Sequence, residues 1–260
     1  IAHNMSLLGL DVRLVTTFGD DVYAQKLAAV CGELGIDISQ SPVIPGGHTS
    51  TYLFISDQTG DMQLAIADMD IYENLTPRVL QGRRQLLDGS QVVVLDTNLP
   101  AESIRWVADN CKAPIFADPV STAKAEKLRP VLGKLHTLKP NRLEAELLSG
   151  VAITDDDSLR RAADALLETG LHRVFISLGA DGVFAADRSG QKLKLPALKG
   201  DIANTTGCGD SFMAALAWAY LQGSDLEKSA RAGRAASTIT MASADTISSA
   251  MSESALLEKL

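Results

Sequence analysis

Three cysteines, Cys31, Cys111 and Cys208, stand far apart in 260 residues, with no C-x-x-C pair and no histidine at zinc-ligand spacing. This excludes a disulfide framework and a structural zinc module, and it fits a chain kept in a reducing cytoplasm. The four histidines, His3, His48, His136 and His172, are scattered, and HExxH is absent. So are GxxxxGK[ST], a GxGxxG after a first strand, and GxSxG, which leaves P-loop, dinucleotide, zinc-protease and serine-hydrolase chemistry without their residues. No run of about 18 apolar residues and no charged-then-apolar leader occurs, so the reading includes no membrane partner. Positive charge is also short. Against 32 Asp and Glu there are 24 Lys and Arg, a net charge of −8, which argues against a nucleic-acid surface. It does not argue against a nucleotide, since local anion holes and metal ions hold nucleotides on acidic proteins.

Apolar residues make up 46% of the chain and charged ones 22%, enough for the core of one large α/β domain spanning 1–260. Strand-like runs alternate with helical ones: Val12 to Phe18 then Asp21 to Leu34; Val92 to Asp96 then Ala101 to Cys111; Ile115 to Asp118 then Thr122 to Leu132. Leu135 to Leu138 precedes a helix near Leu143 to Leu148, and the helix Ser158 to Leu167 precedes Val174 to Ser177. The pattern predicts a three-layer α/β/α fold around a mostly parallel sheet, with ligands beyond the carboxyl ends of its strands. One segment, 49–67, breaks the alternation. Thr49 to Ser56 and Met62 to Ala67 flank Asp57-Gln-Thr-Gly60-Asp61 and predict a β-hairpin, either an edge decoration or a lid. The chain opens at Ile1 already in helical spacing, without a strand or cap before it; the expectation is that about 40 to 50 residues precede it, the size of one βαβ unit with a lid strand.

The chemistry concentrates where Ile202-Ala-Asn-Thr-Thr-Gly-Cys-Gly-Asp-Ser-Phe212 runs into the apolar pattern Met213 to Leu221. A glycine-rich turn that opens a helix presents unpaired N–H groups and the positive end of the helix dipole to an anion. Gly207 and Gly209 let a phosphate approach the backbone. Asp210 either complements the helix end or takes a proton from an attacking hydroxyl. In Lys139-Pro-Asn-Arg-Leu-Glu144, Asn141 falls at a helix cap with Glu144 three residues on. That spacing forms a capping pair, and it also aims an amide oxygen and a carboxylate at one metal-bound water shell. Ser177-Leu-Gly179-Ala-Asp-Gly182 reads as a tight turn between strands. Asp96-Thr-Asn98 and Asp118-Pro119 follow buried strands, where polar residues hold a sugar hydroxyl or cap a loop.

Taken in order, Asn98, Asn141 with Glu144, Ser177 to Gly182 and Thr205-Thr-Gly-Cys-Gly-Asp210 resemble the ribokinase-like, PfkB-type sugar and nucleoside kinases along nearly the whole chain. The resemblance implies ATP-dependent phosphorylation of a hydroxymethyl group in the cytoplasm. Asp210 would be the base, with Gly207, Cys208 and Gly209 the anion hole and Asn141 and Glu144 the ligands of Mg2+-bound water. Ser177, Gly179, Gly182, Thr205 and Thr206 would form the nucleotide wall. Pro45-Gly-Gly-His-Thr49, Ala67-Asp-Met69-Asp70, Asp96-Thr-Asn98 and Asp118-Pro-Val-Ser121 are similar to the pseudouridine kinase branch, which implies a nucleoside acceptor held by Thr49, Met69, Asn98, Asp118 and Asp210. Asn204 stands where the family motif normally begins with Asp; a backbone carbonyl contribution to a K+ site survives that change. The alternatives are another kinase of the family, acting on ribose, fructose, a sugar phosphate or adenosine, and a nucleoside-binding regulator without turnover. The apolar lid implies a homodimer.

Overall fold

The computed structural model describes residues 1–56 and 62–260. Its strands are β1 Thr51–Ser56, β2 Met62–Asp68, β3 Val93–Asp96, β4 Ile115–Asp118, β5 Thr137–Leu138, β6 Arg173–Ser177, β7 Val183–Asp187 and β8 Lys192–Leu195. The helices are α1 Ala2–Leu7, α2 Val22–Glu33, α3 Pro77–Gln81, α4 Arg84–Asp88, α5 Ala101–Asn110, α6 Thr122–Ala125, α7 Arg142–Ser149, α8 Asp156–Glu168, α9 Cys208–Leu221, α10 Leu226–Met241 and α11 Glu253–Leu257. One sheet runs β3-β4-β5-β6-β7-β8; β3 to β6 are parallel, and β7 and β8 turn back antiparallel.

Period-two alternation decides which side chain meets which layer. In β4, Ile115 and Ala117 join a core built with Ile104, Leu128, Leu148 and Leu166, while Phe116 between them joins Phe212, Met213 and Leu216 of α9. In β6, Val174 and Ile176 take the first side and Phe175 the second. Helices therefore cover both faces, and the strands read as continuous apolar runs for that reason. α9 is buried from Ser211 to Ala219, because α10 covers the side that the sheet does not. Gly233 of α10 permits this, since a Cβ there would lie 2.3 Å from the Phe212 ring. A helix apolar all round is what a middle position demands, and it holds the first turn of α9 at the carboxyl ends of the strands.

Two expected elements come out differently. Val12 to Phe18 makes only isolated bridges, Arg13 to Asp37 and Phe18 to Val43. Leu14 N–H and Phe18 N–H donate toward the 37–43 segment, but the two bridges differ in register by one residue and Thr16 N–H between them goes to the Ser41 hydroxyl, so the pairing never extends into a ladder. The helix expected over Thr122 to Leu132 stops as α6 at Ala125 and continues as a 3₁₀ helix, Glu126–Lys134, which contains Pro130; proline has no N–H for an α-helical bond.

β1 and β2 form a separate antiparallel sheet, with Leu53 opposite Ile66 and Ile55 opposite Leu64. All four of these side chains are exposed. The turn expected at Asp57 to Asp61 lies outside the described residues. Among the described residues no helix is long and apolar enough to cross a membrane.

Candidate active site

The first turn of α9 is shaped by Gly207, its N-cap, at φ +86°. A Cβ there would sit 2.2 Å from the Thr246 carbonyl oxygen, so both backbone conformation and contact require glycine. Cys208 N–H donates to Thr205 O at 3.3 Å, whereas the N–H groups of Gly209 and Asp210 have no partner among the described residues. Two free donors at the head of a 14-residue helix suit an anion. The Cys208 thiol is raised above its ordinary pKa by burial and by the Asp210 carboxylate, so it stays protonated and unreactive. The Asp210 carboxylate is half exposed at this mouth.

Upstream, Asn204 Oδ1 accepts from Thr206 N–H at 2.9 Å and Nδ2 donates to Ala244 O at 3.1 Å. An aspartate has no donor for the second bond, which is a structural reason for amide rather than acid here.

Sequence reasoning passed over Lys139. Its ammonium is buried, 3.2 Å from Asp118 Oδ2, and lies 3.2 Å from where a Cβ on Gly209 would be. A cation thus sits against the glycine-rich turn, held by a carboxylate from the neighbouring strand. The available signal was a lysine directly after the buried strand residue Leu138, at the carbonyl end of the sheet. Asp118 has both oxygens engaged, Oδ1 by Val120 N–H at 2.9 Å and Oδ2 by Lys139. Val120 holds φ +63°, a left-handed conformation unfavourable for a β-branched residue; it follows the Asp118-Pro119 turn.

Asp96 is in register with Asp118. Burial pushes its carboxyl up first, helped by the Asp118 and Asp210 charges and opposed by the Asn98 amide. Asp96, Asn98 and Asp210 line the same cavity of about 760 Å3, and Thr49 and Met69 do not. Thr49 is instead a strut in the loop before β1: its N–H and hydroxyl donate to the two Asp21 oxygens at 2.7 and 2.8 Å, and its Oγ1 accepts from Gly19 N–H at 3.0 Å. Met69 precedes the 3₁₀ turn Asp70–Asn74.

Asn141 and Glu144 close a full capping box on α7. Asn141 Oδ1 accepts from Glu144 N–H at 2.9 Å, and Glu144 Oε2 accepts from Asn141 N–H at 2.8 Å. Burial raises the Glu144 carboxyl above its ordinary pKa, Asp118 adds to this, and the Asn141 N–H and Lys139 oppose it. Ser177 joins this cap through its N–H to Pro140 O at 2.9 Å, and Arg142 reaches Asp181 at 3.0 Å. The turn Gly179 to Gly182 carries φ +60° and +92° at its glycines, and a Cβ on Gly182 would lie 2.0 Å from Leu195 O. The capping box, the Gly179 to Gly182 turn and the α9 mouth thus stand at one end of the sheet.

A parallel-sheet α/β/α fold whose helix mouth carries free N–H groups, a buried lysine and a carboxylate has the parts that a phosphotransferase acting on hydroxyl groups needs. The chain belongs to the pfkB family of carbohydrate kinases, whose model matches residues 1–253, and its fold is ribokinase-like. It is 37% identical to the pseudouridine kinase of Escherichia coli strain K12 over 242 residues, which cover 93% of this chain and 77% of that one. It is 39% identical to the uncharacterized sugar kinase YeiI of the same organism over 246 residues, 94% of this chain and 67% of the relative. Among solved structures, ribokinase from Thermotoga maritima superimposes with a TM-score of 0.85 at 26% identity, covering 99% of this chain and 85% of that chain.

Proposed function

We propose that this kinase transfers the γ-phosphoryl group of ATP to the 5′-hydroxyl of pseudouridine. The observation that carries the phosphotransfer is the convergence of the free Gly209 and Asp210 N–H groups with the buried Lys139 ammonium at the mouth of α9, beside the Asp210 carboxylate. Phosphoryl transfer needs positioning and charge neutralisation more than covalent chemistry. The N–H groups of Gly209 and Asp210 and the lysine receive the charge on the transferring group, and Asp210 orients the acceptor hydroxyl and takes its proton. Ser177, Gly179, Gly182, Thr205 and Thr206 form the wall for the nucleotide.

Mg2+ suits this site as an ion that keeps several waters and needs only one or two carboxylates besides phosphate oxygens. Glu144, with one carboxylate oxygen outside the capping box, and Asn141 would accept hydrogen bonds from its water shell, and the ion would neutralise the triphosphate. A K+ ion held by backbone carbonyls near Asn204 belongs to the same reading.

The 37% identity to a pseudouridine kinase supports the nucleoside acceptor, with Asn98 and Asp96 in the cavity that Asp210 borders. An ADP-release assay on the full-length protein, with pseudouridine, uridine, adenosine, ribose, fructose and fructose 6-phosphate, tests it. The expected result is the highest kcat/KM on pseudouridine, because a pocket built to bond the extra ring N–H of the C-nucleoside leaves that group unpaired with uridine. Equal values for the two nucleosides, or preference for a free sugar, would move the acceptor elsewhere in the family.

The hairpin 49–67 is proposed to cover the acceptor and to pair with a second protomer through Leu53, Ile55, Leu64 and Ile66, two exposed cross-strand apolar pairs on one face. Sedimentation should show a dimer at micromolar concentration and a monomer after Leu53→Asp; a wild-type monomer rejects the pairing.

A further inference from the structure

The turn after β3 is held more tightly than a loop cap requires. Thr97 is fully buried, and its hydroxyl donates to Pro119 O at 2.5 Å. Asn98 N–H donates to Asp96 Oδ1 at 2.8 Å. Lys127 spans the residue with one ammonium, donating to Thr97 O at 3.0 Å and to Leu99 O at 2.9 Å. The backbone on both sides of Asn98 is therefore fixed. A second lysine, Lys124 in α6, is half-buried and donates to Asn98 Oδ1 at 2.5 Å.

That contact decides which way the carboxamide points. An ammonium has three donors and no acceptor. Turned over, the amide would set its own NH2 against the Lys124 ammonium, losing the bond and bringing donors together. Only Oδ1 can face Lys124, and so the NH2 faces the other way, toward the Asp96 carboxylate. One Nδ2 N–H bears on the Asp96 carboxylate, which leaves the second, and Asn98 borders the cavity that Asp96 and Asp210 also border.

We propose that Lys124 is a positioning residue that locks the Asn98 carboxamide with its NH2 toward Asp96 and the acceptor pocket, so that the group recognised by the remaining N–H is a hydrogen-bond acceptor, a carbonyl oxygen or a hydroxyl lone pair. The proposal rests on the reading of this cavity as the seat of the phosphorylated substrate. It divides the recognition: Asn98 reads an acceptor, and a substrate N–H must be read by a carboxylate such as Asp96, whose partly used oxygens stand two residues away.

The test uses the intact kinase and the acceptor that it phosphorylates best. Lys124→Met keeps the aliphatic stem and removes the donor, so the acceptor KM should rise roughly tenfold, the loss of one oriented hydrogen bond, with the KM for ATP unchanged and kcat within about twofold. Lys124→Arg, which retains a donor for Oδ1, should restore the acceptor KM. Asn98→Asp keeps the Lys124 contact but removes the NH2, and should raise the acceptor KM by a similar factor. An unchanged acceptor KM in Lys124→Met, or a parallel rise in both KM values, overturns the proposal. A further readout is independent of turnover: the side-chain amide proton pair of Asn98 in 15N-labelled protein should shift and broaden in Lys124→Met but not in Lys124→Arg. An unshifted pair in Lys124→Met overturns the locked amide even in an active enzyme. Absence of ADP release with every acceptor, together with the expected amide shift, instead counts against the phosphotransfer reading alone.

Discussion

Asp210→Asn lowers turnover by about 10²- to 10⁴-fold, the range for loss of a positioned acid–base group, while nucleotide affinity holds or rises slightly. The substitution keeps the size and most hydrogen-bonding capacity of the side chain but removes the proton acceptor. It also removes a negative charge from beside the triphosphate, which is why affinity does not suffer. The contrasting role, a carboxylate that only complements the first turn of α9, has a different signature: stability falls by about 0.3 to 1 kcal/mol and turnover stays near normal. The half-exposed position of the carboxylate at the mouth keeps any stability effect small in both cases, so rate is the deciding readout. The catalytic rate, ATP affinity and melting temperature of this one variant separate the two roles, and near-normal turnover removes Asp210 as the base.

The elements legible in the sequence were those whose cause is local or periodic. Asp21, Asn141 and Asp155 each cap the helix that follows by accepting from a backbone N–H three residues on, a spacing visible in any linear reading. β4 and β6 read correctly because strands covered on both faces carry consecutive apolar residues, Ile115 to Ala117 and Val174 to Ile176. The glycine-rich turn was legible because Gly207 answers a backbone demand at a single site. Val12 to Phe18 has the composition of a strand, but its pairing with the 37–43 segment shifts register between the two bridges, which composition does not reveal. Thr49 entered through the resemblance to the pseudouridine kinase branch, and its hydroxyl donates to Asp21, 28 residues earlier, a pairing that no local pattern announces. The lysines escaped notice for the same reason. Lys139 meets Asp118 across 21 residues and Lys124 meets Asn98 across 26, pairings set by the order of strands at the carboxyl end of the sheet and by nothing in the local sequence.

Lys139→Met is expected to be the most damaging single change outside Asp210, and its effect has two parts that a second substitution separates. Removing one member of a buried ion pair leaves the other charge without compensation, at a cost of about 3 to 5 kcal/mol. The Lys139 and Asp118 side chains are only 6% and 10% exposed, so this stability loss should appear as a clear fall in melting temperature. Separately, the anion-binding turn loses its cation, and turnover should fall about 10²- to 10³-fold, as when one preorganised donor is removed from developing charge. The double variant Lys139→Met with Asp118→Asn carries neither charge, and an asparagine retains an oxygen for the Val120 N–H that Asp118 Oδ1 now accepts. Replacing a whole buried pair is far less costly than breaking it, so the melting temperature should recover much of the loss. Turnover should not recover, because the missing cation is what the transferring group meets. If rate returns together with stability, Lys139 serves only as the partner of Asp118, and the charge on the phosphoryl group is met by the Gly209 and Asp210 N–H groups and the metal alone.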